Sequence, residues 1–125
     1  MIRVPRGAML ALEINYELRI FNFELKILTM KKDNVIQEKS YQFAIKIVKT
    51  SKYLVDQKKE FILSKQLLRS GTSIGANVEE AIGGQSKKDF FAKLSISYKE
   101  ARETKYWIRL LFDTDYINEP TKQNY

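Results

Sequence analysis

The side chains with chemistry open to them are lysines, arginines and carboxylates, and their spacing sorts them into three groups. Gly83 and Gly84 precede Ser86, Lys87 and Lys88 at the start of an apolar-periodic segment. Backbone amides and ammonium groups at such a helix start can hold a phosphate. The spacing is not that of a P-loop, and a helix-helix turn with a good cap accounts for the same residues. Lys99, Arg102, Lys105 and Arg109 then recur three and four residues apart, with Glu100 and Glu103 between them. Such a row can neutralise nucleic-acid phosphates, or it is a solvated, salt-bridged helix face. Lys105 stands apart, because its helical angle places it between Ala101 and Ile108. A structural role is expected for it, the stem snorkelling past the core or the ammonium pairing with Glu79. Glu79, Glu80, Asp89, Glu100 and Glu103 could supply oxygens to a divalent ion, although helical surface charge is the plainer reading. Tyr106 and Trp107 offer rings to bases, with an oligomer contact the competing use for Trp107.

Composition narrows these options. The chain of 125 residues contains no cysteine and no histidine. Thiolate nucleophiles, imidazole bases, disulfides and most transition-metal sites are thereby removed. A non-enzymatic protein without metal or cofactor is expected. The net charge of +7 favours polyanionic partners, nucleic acid before an anionic membrane surface. At 44% hydrophobic and 30% charged residues the chain reads as one globular domain. Its longest run without a charged residue, Ser70 to Val78, is far below the roughly 20 apolar residues of a membrane span. No targeting segment is legible at the N-terminus, so a cytoplasmic location is expected.

Two unequal parts must position these groups: an N-terminal extension, residues 1–29, and a helical domain, residues 30–125. The extension holds a seven-residue repeat, "NYELRIF" followed by "NFELKIL". Its alternation from Leu12 to Ile20 suits a strand or hairpin, and its heptad Ile14, Leu18, Phe21, Leu25 and Leu28 suits a helix equally. A third reading makes it non-native, an upstream repeat translated from a start codon earlier than Met30. From Asp33 the period is helical. Tyr41, Ala44, Ile47, Val48, Ser51 and Val55 share a face of a helix over about 34–58, which "DQKKE" ends. A second helix carries Leu63, Leu67, Ser70, Gly71, Ile74, Val78, Ala81 and Ile82 on one face, so the apolar period runs unbroken through "SGTSIGAN". That string is therefore helix rather than loop, and its small residues imply close approach of a neighbouring helix. Ser86 caps a third helix over about 87–112, with Asp89 placed for a capping box. The inner face of that helix reads Phe90, Phe91, Leu94, Tyr98, Ala101, Ile108 and Phe112. Ala92, Ile96, Trp107 and Leu110 form a second apolar side that implies self-association. A fourth helix could begin near Asn118, but the remaining chain is too short to hold one unaided.

The strings "LSKQLLRSGTSIGANVEEA" and "SKKDFFAKLSISYKEARETKYWIRLL" resemble the bacterial four-helix-bundle family encoded in intervening sequences of 23S ribosomal RNA genes. The resemblance covers about Tyr41 to Glu119. It implies an all-α, antiparallel up-and-down bundle, here with its fourth helix truncated. The fold is similar to that of the accessory protein of diversity-generating retroelements, a basic homopentamer associating with reverse transcriptase and nucleic acid. By resemblance the chain would be a non-enzymatic, basic homo-oligomer binding RNA or DNA, with RNA favoured. The runner-up is a protein-interaction scaffold or adaptor for a nucleic-acid enzyme. Lys87, Lys88, Lys99, Arg102 and Arg109 are the candidate nucleic-acid contacts. Arg69, Gly71, Ser73, Gly75, Asn77, Glu100, Glu103 and Trp107 match the family strings and are read as packing and inter-helix contacts first, ligand contacts second. The family has no counterpart to residues 1–29 and continues with a full fourth helix. The apolar surface left by that helix would be covered by the N-terminal segment or by a neighbouring subunit, or the product would fold poorly.

Overall fold

Ile14, Leu18 and Phe21, the heptad positions of the repeat, are buried, whereas Leu12, Tyr16 and Phe23 are more than half exposed. This resolves the repeat as a helix. In the computed structural model, which describes residues 6–28, 35–84 and 86–118, four helices follow one another: α1 (Arg6–Leu28), α2 (Val35–Asp56), α3 (Leu63–Ile82) and α4 (Lys87–Asp113). α1 packs on α2 and α4, and α3 packs on the same two helices from the other side. The result is a closed four-helix ring whose consecutive members are neighbours. Cross-helix pairs fix the sense: Gln37 meets Glu79 while Ser51 meets Ser64, and Lys93 meets Glu80 while Thr104 meets Ser70. α2, α3 and α4 therefore alternate in direction. α1 is held to α2 by Lys46, which reaches Glu17 at 3.0 Å and Glu13 at 3.7 Å. It covers the apolar surface of α2 and α4 that a three-helix domain would leave open. The expected helix start near Asn118 and Pro120 lies at and beyond the end of the described residues.

Each helix ends for a local reason. α2 stops where Lys59 adopts a left-handed φ of 54°, its neighbours Lys58 and Glu60 both donating to the Leu54 carbonyl. The Glu60 carboxylate then accepts from the backbone N–H groups of Ile62, Leu63 and Ser64 at 3.2, 3.0 and 2.7 Å. It thereby satisfies the otherwise orphaned donors of the first turn of α3. Ser86 Oγ accepts from Asp89 N at 3.1 Å, the forward half of the expected capping box.

The small-residue string is helical and tightly packed, as its unbroken period requires. A Cβ on Gly71 would lie 2.6 Å from Ile47 Cγ1, and one on Gly75 would lie 3.3 Å from the Ser40 carbonyl oxygen. On the α4 side of the same string, short hydroxyls join α3 to α4. Ser97 Oγ donates to the Ile74 carbonyl at 2.9 Å, and Thr104 Oγ1 sits 2.9 Å from Ser70 Oγ.

Two of the inner faces expected from apolar spacing are rotated. On α2, Tyr41 and Val48 are exposed, and the core side is Ile36, Ser40, Phe43, Ile47, Thr50, Ser51 and Leu54. On α4, Phe91 and Tyr98 are exposed, and Ser97, Thr104 and Leu111 are buried in their stead. The cause is the hydroxyls: Thr50 donates to Lys46 O at 2.8 Å and Thr104 reaches Glu100 O at 2.7 Å, so these residues enter the core without an unmet polar group.

A candidate nucleic-acid interface on the outer face of the last helix

α4 runs for 27 residues and contacts α3 along one edge and α1 along the other. Its charges are sorted across its width. Glu100 and Glu103 both turn to α3, where Arg69 reaches the first at 3.5 Å and forms a closer ion pair with the second. Trp107 Nε1 donates to the same Glu103 at 3.0 Å, and Lys93 pairs with Glu80 at 3.0 Å. Arg69, Glu100, Glu103 and Trp107 are thus one clamp between α3 and α4. Arg69 links the two helices, whereas the Trp107–Glu103 bond lies within α4. Ser73 and Asn77 act within α3, Asn77 Nδ2 donating to the Ser73 carbonyl at 2.9 Å. Gly71 and Gly75 set the α2–α3 approach.

With its carboxylates drawn to that edge, the solvent side of α4 is left to cations and rings. Lys88, Phe91, Ser95, Tyr98, Arg102, Lys105 and Arg109 succeed one another at three- and four-residue spacing, and all are exposed. Lys87, Lys99 and Tyr106 fall on the same arc, about 120° wide at 100° per residue. From Lys87 to Phe112 no acidic residue lies on it; Asp113 closes its far end. The arc spans about 32 Å from Lys88 to Arg109 at 1.5 Å per residue. Lys87, Lys88, Lys99, Arg102 and Arg109, the candidate contacts, share this one face.

Lys105 does not lie within the inner face as its angle suggested, nor does it meet Glu79, whose carboxylate accepts from Gln37 at 3.0 and 3.1 Å. Thr104 takes the core position, and Lys105 lines a cleft of about 270 Å³ against Asn15, Leu18, Arg19 and Asn22 of α1. The Asn22 Oδ1 in that wall is buried without a hydrogen-bond partner among the described residues. The rotation of α4 by its buried hydroxyls is the signal that apolar spacing missed.

The glycine amides before α4 are taken up by the end of α3. Gly83 N donates to Glu79 O and Gly84 N to Ala81 O, both at 3.1 Å, so these amides are committed to ending α3. Lys87 and Lys88 remain as exposed ammonium groups. Among the described residues no cluster of acidic, histidine or cysteine side chains could hold a metal ion, and of the carboxylates considered for one, Glu79 meets Gln37, Glu80 meets Lys93, and Glu100 and Glu103 meet Arg69. No helix among the described residues is long and apolar enough to cross a membrane.

The geometry defines a class: an all-α four-helix bundle with a clamped α3–α4 pair and one solvent face of cations and rings. Residues 32–125 match the profile of the 23S rRNA-intervening sequence proteins, and the chain belongs to that family. It is similar to the crystal structure of a protein of unknown function from the S23 ribosomal protein family of Bacteroides thetaiotaomicron. The two share 57% identity with a TM-score of 0.68, over 69% of this chain and 80% of the other. Comparison with curated proteins yields no match.

Proposed function

We propose that the chain is a non-enzymatic, cytoplasmic nucleic-acid-binding protein, acting as a homo-oligomer, with RNA the favoured ligand. The observation that carries this reading is the sorting of charge across α4, which gathers Lys87, Lys88, Lys99, Arg102 and Arg109 on one exposed arc while Arg69 holds Glu100 and Glu103 away from it. Phosphate neutralisation by such a row needs no base readout and releases counterions. Repetition of the row around an assembly multiplies the field, and the resemblance to the retroelement accessory protein makes a pentamer the specific expectation.

The test is fluorescence anisotropy of a labelled ribosomal RNA fragment titrated across salt, with the assembly state measured by sedimentation. Log affinity should fall linearly with log salt, and Arg102→Gln with Arg109→Gln should reduce the slope by about one per lost phosphate contact. Folded protein that fails to bind at low salt refutes the reading. A protein-interaction scaffold would then take its place, supported by a groove between α2 and α3 lined by Ala44, Thr72, Gly75 and Ala76 beside the exposed Tyr41.

A further inference from the structure

The outer face of α4 carries more than charge. Phe91, Tyr98 and Tyr106 are 42%, 42% and 57% exposed on the same arc as the cations. Aromatic rings left in water on a helix that has a core available to it invite a partner with an apolar, flat surface. Two of these rings are braced. Phe91 stands edge-on against Phe90 with centroids 5.6 Å apart, and Phe90 is buried in the core. Tyr106 meets Trp107 in the same way at 5.1 Å, and Trp107 is packed against the core and tied to Glu103. A braced ring loses little freedom when something stacks on it.

We propose that this face is a stacking platform for unpaired bases, with Phe91, Tyr98 and Tyr106 taking bases while Lys99, Arg102 and Lys105 between them take phosphates. The inference rests on the nucleic-acid reading above and specifies its substrate as single-stranded. Phe91 and Tyr98 are two turns apart, about 10.5 Å along the axis, and Tyr98 and Tyr106 about 12 Å. Each ring therefore receives a separate, splayed base. A duplex keeps its bases stacked inside and can offer this face only its phosphates. Alternation of rings and cations along a strand's path is the pattern by which single strands are held without sequence preference.

The experiment compares a labelled single-stranded RNA oligonucleotide with the same strand annealed to its complement, both titrated with the full chain. Replacing any one ring by leucine (Phe91→Leu, Tyr98→Leu or Tyr106→Leu) is expected to weaken single-strand binding about 5- to 150-fold. Duplex affinity and the salt slope should be unchanged, and Tyr98→Trp should retain single-strand binding where Tyr98→Leu loses it. The rings are exposed, so unaltered helical circular dichroism is expected for each variant and is checked first. Ring variants that leave single-strand affinity untouched, while Arg102→Gln weakens both forms, overturn the platform and leave phosphate contact standing. Charge variants that alter neither form overturn the nucleic-acid reading itself.

Discussion

Gly71→Ala tests whether close helix approach explains the small-residue string. The new methyl would sit 2.6, 2.7 and 2.8 Å from three side-chain carbons of Ile47, which is fully buried. Overpacking of this kind costs about 1–3 kcal/mol, and alanine's better helix propensity returns about 1 kcal/mol. A net destabilisation of up to about 2 kcal/mol is expected, a fall in melting temperature of up to roughly 10 °C for a domain of this size. Chemical denaturation gives the value directly, and a double-mutant cycle isolates its cause. Ile47→Ala alone should cost about 2–5 kcal/mol through its cavity. In that background Gly71→Ala should become stabilising, because the methyl enters vacated space, so a coupling of about 1–3 kcal/mol is expected. A Gly71→Ala protein at least as stable as the parent, or additive effects in the cycle, would refute the close approach of α2 and α3 at this level.

Glu60 makes stability pH-dependent: burial alone raises its pKa, but the Leu63, Ser64 and Ile62 backbone N–H groups outweigh it and hold the carboxyl below its ordinary 4.5. Since the folded pKa is the lower one, its contribution is present above the unfolded pKa and is lost as pH falls through the folded value. Glu60→Gln should therefore cost about 1–2 kcal/mol by urea titration at neutral pH. The difference from the parent should narrow below pH 4.5, and an equal difference at both pH values would contradict the assignment. Lys59→Gly should stabilise by about 0.5–1 kcal/mol, because glycine accepts the left-handed φ of 54° without a Cβ penalty. A chain started at Met30 loses Ile14, Leu18 and Phe21 from the core, about 5–8 kcal/mol of apolar burial. Its cooperative unfolding should be weakened or abolished in calorimetry, and an unchanged transition would show α1 to be dispensable.

The helices of the family region were legible in the sequence because their apolar period is long and their caps are local: Ser86 opens α4 and the "DQKKE" turn closes α2 with little help from elsewhere. Which side of α2 and α4 faces inward was less legible. Hydrophobicity ranks Tyr41 above Ser40 and Tyr98 above Ser97, yet each serine is buried and each tyrosine exposed. A hydroxyl that bonds a backbone carbonyl carries no burial penalty, and the carbonyl that receives it is known only once the helices are packed. The repeat in α1 was ambiguous for a different reason. Periods of 2 and 3.5 coincide over so short a stretch, and its buried positions depend on α2 and α4 as partners. The cations of α4 and their angular separation from Glu100 and Glu103 follow from spacing, but the pairing of those two carboxylates with Arg69, 31 and 34 residues away, is known only once the helices are packed.

The clamp formed by Arg69 has a kinetic consequence. Two carboxylates lie on the α3 flank of α4, paired with Arg69, and its solvent face is cationic, so charge is unevenly distributed across this helix. On the proposed nucleic-acid reading, such an uneven face would experience a torque in the field of a polyelectrolyte before any atoms touch, favouring approach with α4 foremost. The torque acts within a screening distance of about 8 Å at physiological ionic strength and grows as salt is lowered. Under that reading productive encounters would be selected by rotation in solution, ahead of docking.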